Sequence, residues 1–375
     1  MAEYINIRGQ NVEVLASDPA NPTVGQIWYN STSNTLKGGN VTTAGAWSTG
    51  TNYPGTIIND GSAGTQTATL VFGGSPGSGY TTTTNEYDGA TWTAGGSLAT
   101  ARGHLVGAGT QTTAIAVGGY SGPSPTGATE EYNGTSWTTG GSTATTRAQA
   151  GAGGDSTAAI YFGGTPSPYI STTAAELYNG TSWTTAPSMG TGRYSLASAG
   201  SQTAALAISG YGPVSGPGTG STFPGSEEYD GASWTAGGTL NTAGYNNRGF
   251  GSSTSALCAF RAGSPTGLET ESYDGSTWTS VNSMNNPTVQ GGTAGSYPNG
   301  LAFGGATPGI NTEGWDGTNW STRPNMTTAR RCEGFGTETA GVAAGGETPG
   351  SPTSATTEEF TGETSAATAS TLTTS

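Results

Sequence analysis

Charge is scarce in this chain of 375 residues: 9% of it is Asp, Glu, Lys or Arg, with Lys37 the single lysine, and acids outnumber bases 24 to ten. Nucleic-acid binding draws its affinity from a basic footprint on the phosphates, and a net charge of −14 repels them instead. Long apolar runs are missing too. None approaches the ~20 residues of a membrane-spanning helix. The start, MAEYINIRGQ, lacks the basic-then-apolar order of a secretory leader, so no leader-driven export and no membrane partner are expected. Cysteine is limited to Cys258 and Cys332. They fall in non-adjacent repeat units and read as two small buried apolar residues rather than a disulfide.

What is abundant is glycine, at 66 residues, against a hydrophobic share of 32%. That balance alone suits a disordered chain. Nine Trp and sixteen Tyr at regular intervals argue for a fold instead. Three marker series run in one register. Trp47, Trp92, Trp137, Trp183, Trp234, Trp278 and Trp320 stand 42 to 51 residues apart. Five residues before most of them come Tyr87, Tyr132, Tyr178, Tyr229, Tyr273 and Trp315, with Phe360 last. A small pair closing an apolar run ends at Gly74, Gly119, Gly164, Gly210, Gly263, Gly305 and Gly346. Each unit reads as four short strands: a Gly/Ala-rich one, a tight turn, an apolar one, a loop, a strand ending Glu-x-Tyr, an Asp-Gly or Asn-Gly hairpin turn, and the Trp strand. The turn is expected to place both of its named residues at positive φ.

Four-stranded units at this period are what a β-propeller requires. Trp47 arrives without a preceding Tyr-turn, and the last turn, EEFTGETS, lacks its Trp. The two are read as halves of one blade. The fold class predicted is therefore all-β: a seven-bladed propeller over 46–365 closed by the Trp47 strand, preceded by a small N-terminal β-hairpin segment (1–45) and followed by a C-terminal tail (366–375). Closure removes the free sheet edges that promote aggregation. The pattern R…GG…E-x-Y-[DN]-G-x-x-W resembles the kelch repeat over about residues 46 to 365. It departs in a shorter Tyr-to-Trp turn, in the eroded pair at Ser209 and Ala262, and in an Arg limited to Arg102, Arg147, Arg193 and Arg330.

The parts of known propeller enzymes are missing. A sialidase Asp-box has a residue between Asp and Gly that SYDGSTW (272–278) lacks, and galactose-oxidase-like copper needs several histidines where this chain has His104 alone. No zinc spacing or phosphate loop occurs. No enzyme activity, cofactor or metal is expected. Glu130, Glu176, Glu227, Glu271, Glu313 and Glu358, with Asn85 in the first unit, each precede the aromatic by two residues and so share its face. They read either as cation ligands or as structural groups that cap backbone N–H groups or pair with an Arg. Recurrence in nearly every unit favours structure.

Binding is expected in the loops after the small pair, which vary most and leave one face of a rigid scaffold. They carry Tyr80, Tyr120, Tyr169, Tyr211 and Phe223, aromatics suited to stacking on sugars, or else to folding back over the blade or packing on another subunit. Outside the register, GQIWYNSTSNTLKGG (25–39) reads as a hairpin. It resembles hairpins near the N-termini of tail-fibre and other virion proteins of tailed, particularly marine, phages. That resemblance implies a virion protein whose N-terminal segment contacts other virion proteins within an oligomeric assembly. The propeller would face host-surface glycans, or decorate tail or capsid. The alternatives are an exported bacterial adhesin or filament subunit and, last, a glycan hydrolase.

Overall fold

The computed structural model describes residues 12–19, 26–41, 45–167, 170–213, 220–246, 248–259, 266–287, 289–305, 309–351, 353–362 and 367–371. The helices and strands among them are all strands. The chain divides into two compact units, residues 46–361 and residues 1–45 with 362–375.

The smaller unit contains the expected hairpin. Ile27–Asn30 pairs antiparallel with Thr35–Val41, Ile27 opposite Gly38. Its turn is held by Asn30, whose Oδ1 accepts the N–H groups of Thr32 and Ser33. Asp18 pins it from outside, accepting from the fully buried Trp28 Nε1 at 3.0 Å and from Asn30 Nδ2 at 2.7 Å. Glu13–Leu15 adds a parallel strand on one side. The segment read as a C-terminal tail adds another: Ala367–Thr371 pairs antiparallel with Lys37–Val41. Backbone pairing, which needs no apolar pattern, is what recruits it.

The larger unit is a succession of four-stranded antiparallel sheets, a β-propeller-like arrangement. Seven are traced among the described residues. Sheets 1 to 6 occupy residues 61–94, 106–139, 151–186, 197–239, 248–280 and 292–323. Sheet 7 comprises Arg331–Gly336, Ala340–Glu347 and Thr357–Thr361, and its fourth strand is Ala46–Thr49, with Trp47 opposite Phe360. First strands of successive sheets neighbour one another, and that of sheet 7 neighbours that of sheet 1. Their small residues follow from this crowding. A Cβ on Gly153 would lie 2.7 Å from the Gly200 carbonyl oxygen of the next sheet. Second strands such as Leu70–Phe72 and Ile115–Val117 are buried on both faces and so read as unbroken apolar runs. The core lies between sheets rather than within one: Leu70 and Phe72 of sheet 1, for example, pack with Ala114, Ala116 and Tyr132 of sheet 2.

Each hairpin turn departs in detail from the expected one. Tyr87 pairs with Trp92 and Asp88 N–H reaches Thr91 O, so the central residues are Gly89 and Ala90, and only the glycine has positive φ (90°). Asp88 acts through its side chain, accepting the N–H groups of Ala90 and Thr91 at 2.9 and 2.7 Å. Asn133, Asn179, Asp230, Asp274 and Asp316 do the same.

Three contacts recur between neighbouring sheets. A third-strand Tyr donates its phenol to the Glu preceding the equivalent Tyr one sheet earlier: Tyr132 to Glu86, Tyr178 to Glu131 and Tyr273 to Glu228. An outer-strand Trp donates Nε1–H to a hydroxyl at the third strand of the previous sheet, as in Trp137 to Thr84 and Trp183 to Thr129 (both 2.8 Å), and Trp278 to Ser226 and Trp320 to Thr270 (both 2.9 Å). The second residue of the glycine pair donates its N–H to the segment entering the next sheet: Gly74 to Arg102 O, Gly119 to Arg147 O. Sheets 1 and 7 share all three contacts, in Tyr87 to Glu359, Trp92 to Thr357 (3.0 Å) and Gly346 to Ile57 O (2.9 Å). The glycine pair is needed because both residues have positive φ, 64° and 86° at Gly73 and Gly74. Ser209 adopts the same conformation at 52° and spends its hydroxyl on the Phe223 and Gly244 carbonyls.

The Glu series takes both structural roles expected of it. Glu176 accepts Arg147 at 2.9 Å and also the N–H groups of Ala144 and Thr145. Glu130 with Arg102 (3.0 Å), Glu227 with Arg193 and Glu358 with Arg330 (2.9 Å) repeat the pair, all four arginines being fully buried. Where no Arg is present, Glu271 and Glu313 take Asn241 and Asn285, each through backbone N–H and side-chain amide. Cys258 and Cys332 are buried and unpaired with each other.

Candidate functional site

The glycine pair turns each chain outward into its variable loop, so the loops leave the sheets beside the segments entering the first strands. Tyr80 is half-buried, its ring against Gly103. Tyr120, half-buried, packs edge-on against the imidazole of His104, ring centroids 5.8 Å apart. It opens a two-stranded ribbon, Tyr120–Ser121 with Ser124–Pro125. Tyr211 is half-buried between Tyr194 (5.4 Å) and Tyr245 (5.7 Å) and donates its phenol to Gly220 O at 2.9 Å. Phe223 lies under the Arg193 guanidinium, 4.5 Å from carbon to ring centroid. Tyr169 lies outside the described residues. These four described aromatics therefore have packing partners within their own and adjacent sheets. Tyr87, Tyr132, Tyr178, Tyr229, Tyr273, Trp92, Trp278, Trp315 and Trp320 are buried, and Trp137, Trp183 and Trp234 partly so.

The loops adjoin a feature that sequence reasoning missed. A cavity of about 460 Å³ lies where the first strands converge, walled by residues of every sheet. It takes Asn59, His104, Gln149, Ser195, Asn246 and Gln290 from the entries to sheets 1 to 6, and Arg331 and Glu333 from sheet 7. A second hollow shares Asn59 and His104 with it and is also lined by Tyr80, Ser121 and Gly122. Most of the cavity's charge is paired: Arg248 reaches past sheet 6 to Glu333, and Arg331 meets Glu347 at 3.2 Å. Asp60 is the remaining carboxyl. Burial, helped by the Glu333 charge and opposed by its own backbone N–H and Arg248, pushes it up to about 7. Burial lowers the His104 imidazole, keeping it neutral at pH 7. Beside its ion pairs and the Asp60 carboxyl, the wall thus offers neutral amides, a hydroxyl and an imidazole. No group of three His, Cys, Asp or Glu side chains able to hold a metal occurs among the described residues. The one signal that could have disclosed the cavity is position, two residues after Arg102, Arg147 and Arg193.

No protein-family description matches the chain, and no curated protein does. Among the similar solved structures is that of YjhT, with a TM-score of 0.51 and 12% identity, covering 84% of this chain and 99% of YjhT. At that identity the likeness concerns the fold alone.

Proposed function

We propose that residues 46–361 are a seven-bladed, kelch-like propeller closed by the Trp47 strand, and that the protein is a non-enzymatic attachment protein of a phage particle. The N-terminal unit holds it on the particle beside other virion proteins, and the loop face of the propeller binds host-surface glycans. The observation that carries the propeller reading is that sheets 1 and 7 share the Tyr–Glu, Trp–Thr and Gly–carbonyl contacts of the other neighbours. The binding reading is supported by the aromatic loops, of which the Tyr80 loop lines the hollow beside the cavity, and by a polar cavity whose arginines are ion-paired. The virion setting is supported by the resemblance of the 25–39 hairpin.

Electron microscopy of a purified particle tests the setting: the account expects density for the propeller on its surface, and a particle lacking the chain refutes it. A glycan array with the full chain tests the binding face. Deleting residues 1–40 is expected to abolish incorporation while leaving glycan binding intact.

A further inference from the structure

Among the described residues, eight that are not glycine have positive φ, and six of them line the axial cavity: Asn59, His104, Gln149, Ser195, Asn246 and Gln290, at 49° to 60°. The backbones of the first five run on from one to the next. His104 N–H donates to Asn59 O at 2.8 Å, Gln149 to His104 at 3.2 Å, Ser195 to Gln149 at 3.0 Å and Asn246 to Ser195 at 3.0 Å. A left-handed backbone is disfavoured for any residue with a Cβ, and this chain uses glycine freely where it needs one. The backbone ladder itself would be served by glycine at each of its five positions. Side chains are kept here nonetheless, all of them hydrogen-bonding types, and none forms a side-chain hydrogen bond with the described residues. Strained backbones whose polar side chains line one cavity and bond to none of their described neighbours point to a ligand.

Resting on the glycan-binding reading above, we infer that the axial cavity holds one neutral sugar ring, its hydroxyls taken by the amides of Gln149, Asn246, Gln290 and Asn59 and by Ser195 and His104. An amide offers donor and acceptor together, as neighbouring hydroxyls require. The arginines of the wall are matched internally, so an anionic ligand finds no free counter-ion, and the chain's acidity disfavours an acidic sugar further. The volume falls within the range of small-molecule sites.

The test uses the full chain, neutral hexoses with their N-acetylated and acidic counterparts, and a glycan array. His104 is the single histidine, so its imidazole resonance reports on the cavity without any mutation. It is expected to shift on titration with a neutral sugar and not with an acidic one. Gln149→Gly and Asn246→Gly remove the side chain while relaxing the backbone. Each is expected to melt no lower than the parent and to bind sugar about tenfold more weakly, as the loss of two uncharged hydrogen bonds implies. Glycan binding that leaves the His104 resonance unmoved and both variants unimpaired overturns this inference and leaves the loop-face reading standing. A parent protein that binds no sugar, free or arrayed, overturns both.

Discussion

Sheet 3 carries a defect that its neighbours correct. In five sheets a threonine, and in one Ser226, begins the Glu-x-Tyr motif with a hydroxyl that accepts a Trp indole; at the equivalent site sheet 3 has Ala175, and the Trp234 Nε1–H is buried without a partner. An unsatisfied buried donor costs about 1–3 kcal/mol, and a made neutral hydrogen bond contributes about 1. Thr84, Thr129, Thr270, Thr312 and Thr357 are all buried in the corresponding position, so the fold accommodates the side chain there. Ala175→Thr is therefore expected to stabilise the protein by about 1–2 kcal/mol in denaturant melts, and Thr129→Ala to destabilise it by a similar amount by orphaning Trp183. Ala175→Val separates packing from hydrogen bonding, because valine has the shape of threonine without its hydroxyl. The threonine variant should exceed the valine variant by about 1 kcal/mol. Equal stability of the two would refute the reasoning.

Three further outcomes follow from buried chemistry. Glu176→Gln leaves the Arg147 guanidinium buried without its counter-charge and is expected to cost about 3–5 kcal/mol in denaturant unfolding; Arg147→Met added to it should recover part of that loss. Tyr132→Phe removes the phenol that Glu86 accepts and is expected to cost about 1–2 kcal/mol, read in the same assay. The Asp60 carboxyl is raised to about 7 from its ordinary 3.8, so the folded state holds a proton there that the unfolded state releases. Its contribution to stability is full below 3.8 and is lost as pH rises through about 7. Asp60→Asn should therefore gain on the parent between pH 4 and 7 and keep a constant lead above, in melts across that range; parallel profiles would contradict this.

The scaffold was legible because its markers are of constant type: Trp, Tyr and paired glycine each do one job in every unit. Contacts between units were legible only as correlations. Ser272 and Gly314 stand where other sheets have the acceptor Glu, and the next sheets then present Trp315 and Phe360, which have no phenol. Leu177 breaks that pattern, and Tyr229 turns to its own Gly231 carbonyl at 3.1 Å. The axial cavity was hidden for the opposite reason. Asn, His, Gln and Ser share no residue type, and what unites them is backbone conformation. The loop aromatics showed where variation lies, whereas their packing against Gly103, His104, Tyr194 and Arg193 depends on segments 16 to 30 residues distant. The last strand, Ala367–Thr371, had no apolar alternation to announce it.

The claim on which the rest stands is that the beginning and end of the larger unit complete one sheet. Ala46 lies opposite Thr361 in that pairing, both exposed, and both native cysteines are buried. Oxidising Ala46→Cys/Thr361→Cys and mapping its disulfides by mass spectrometry measures the pairing directly. The account expects an intramolecular 46–361 bond in the folded monomer. Free thiols at both positions, or bonds between molecules only, would contradict it.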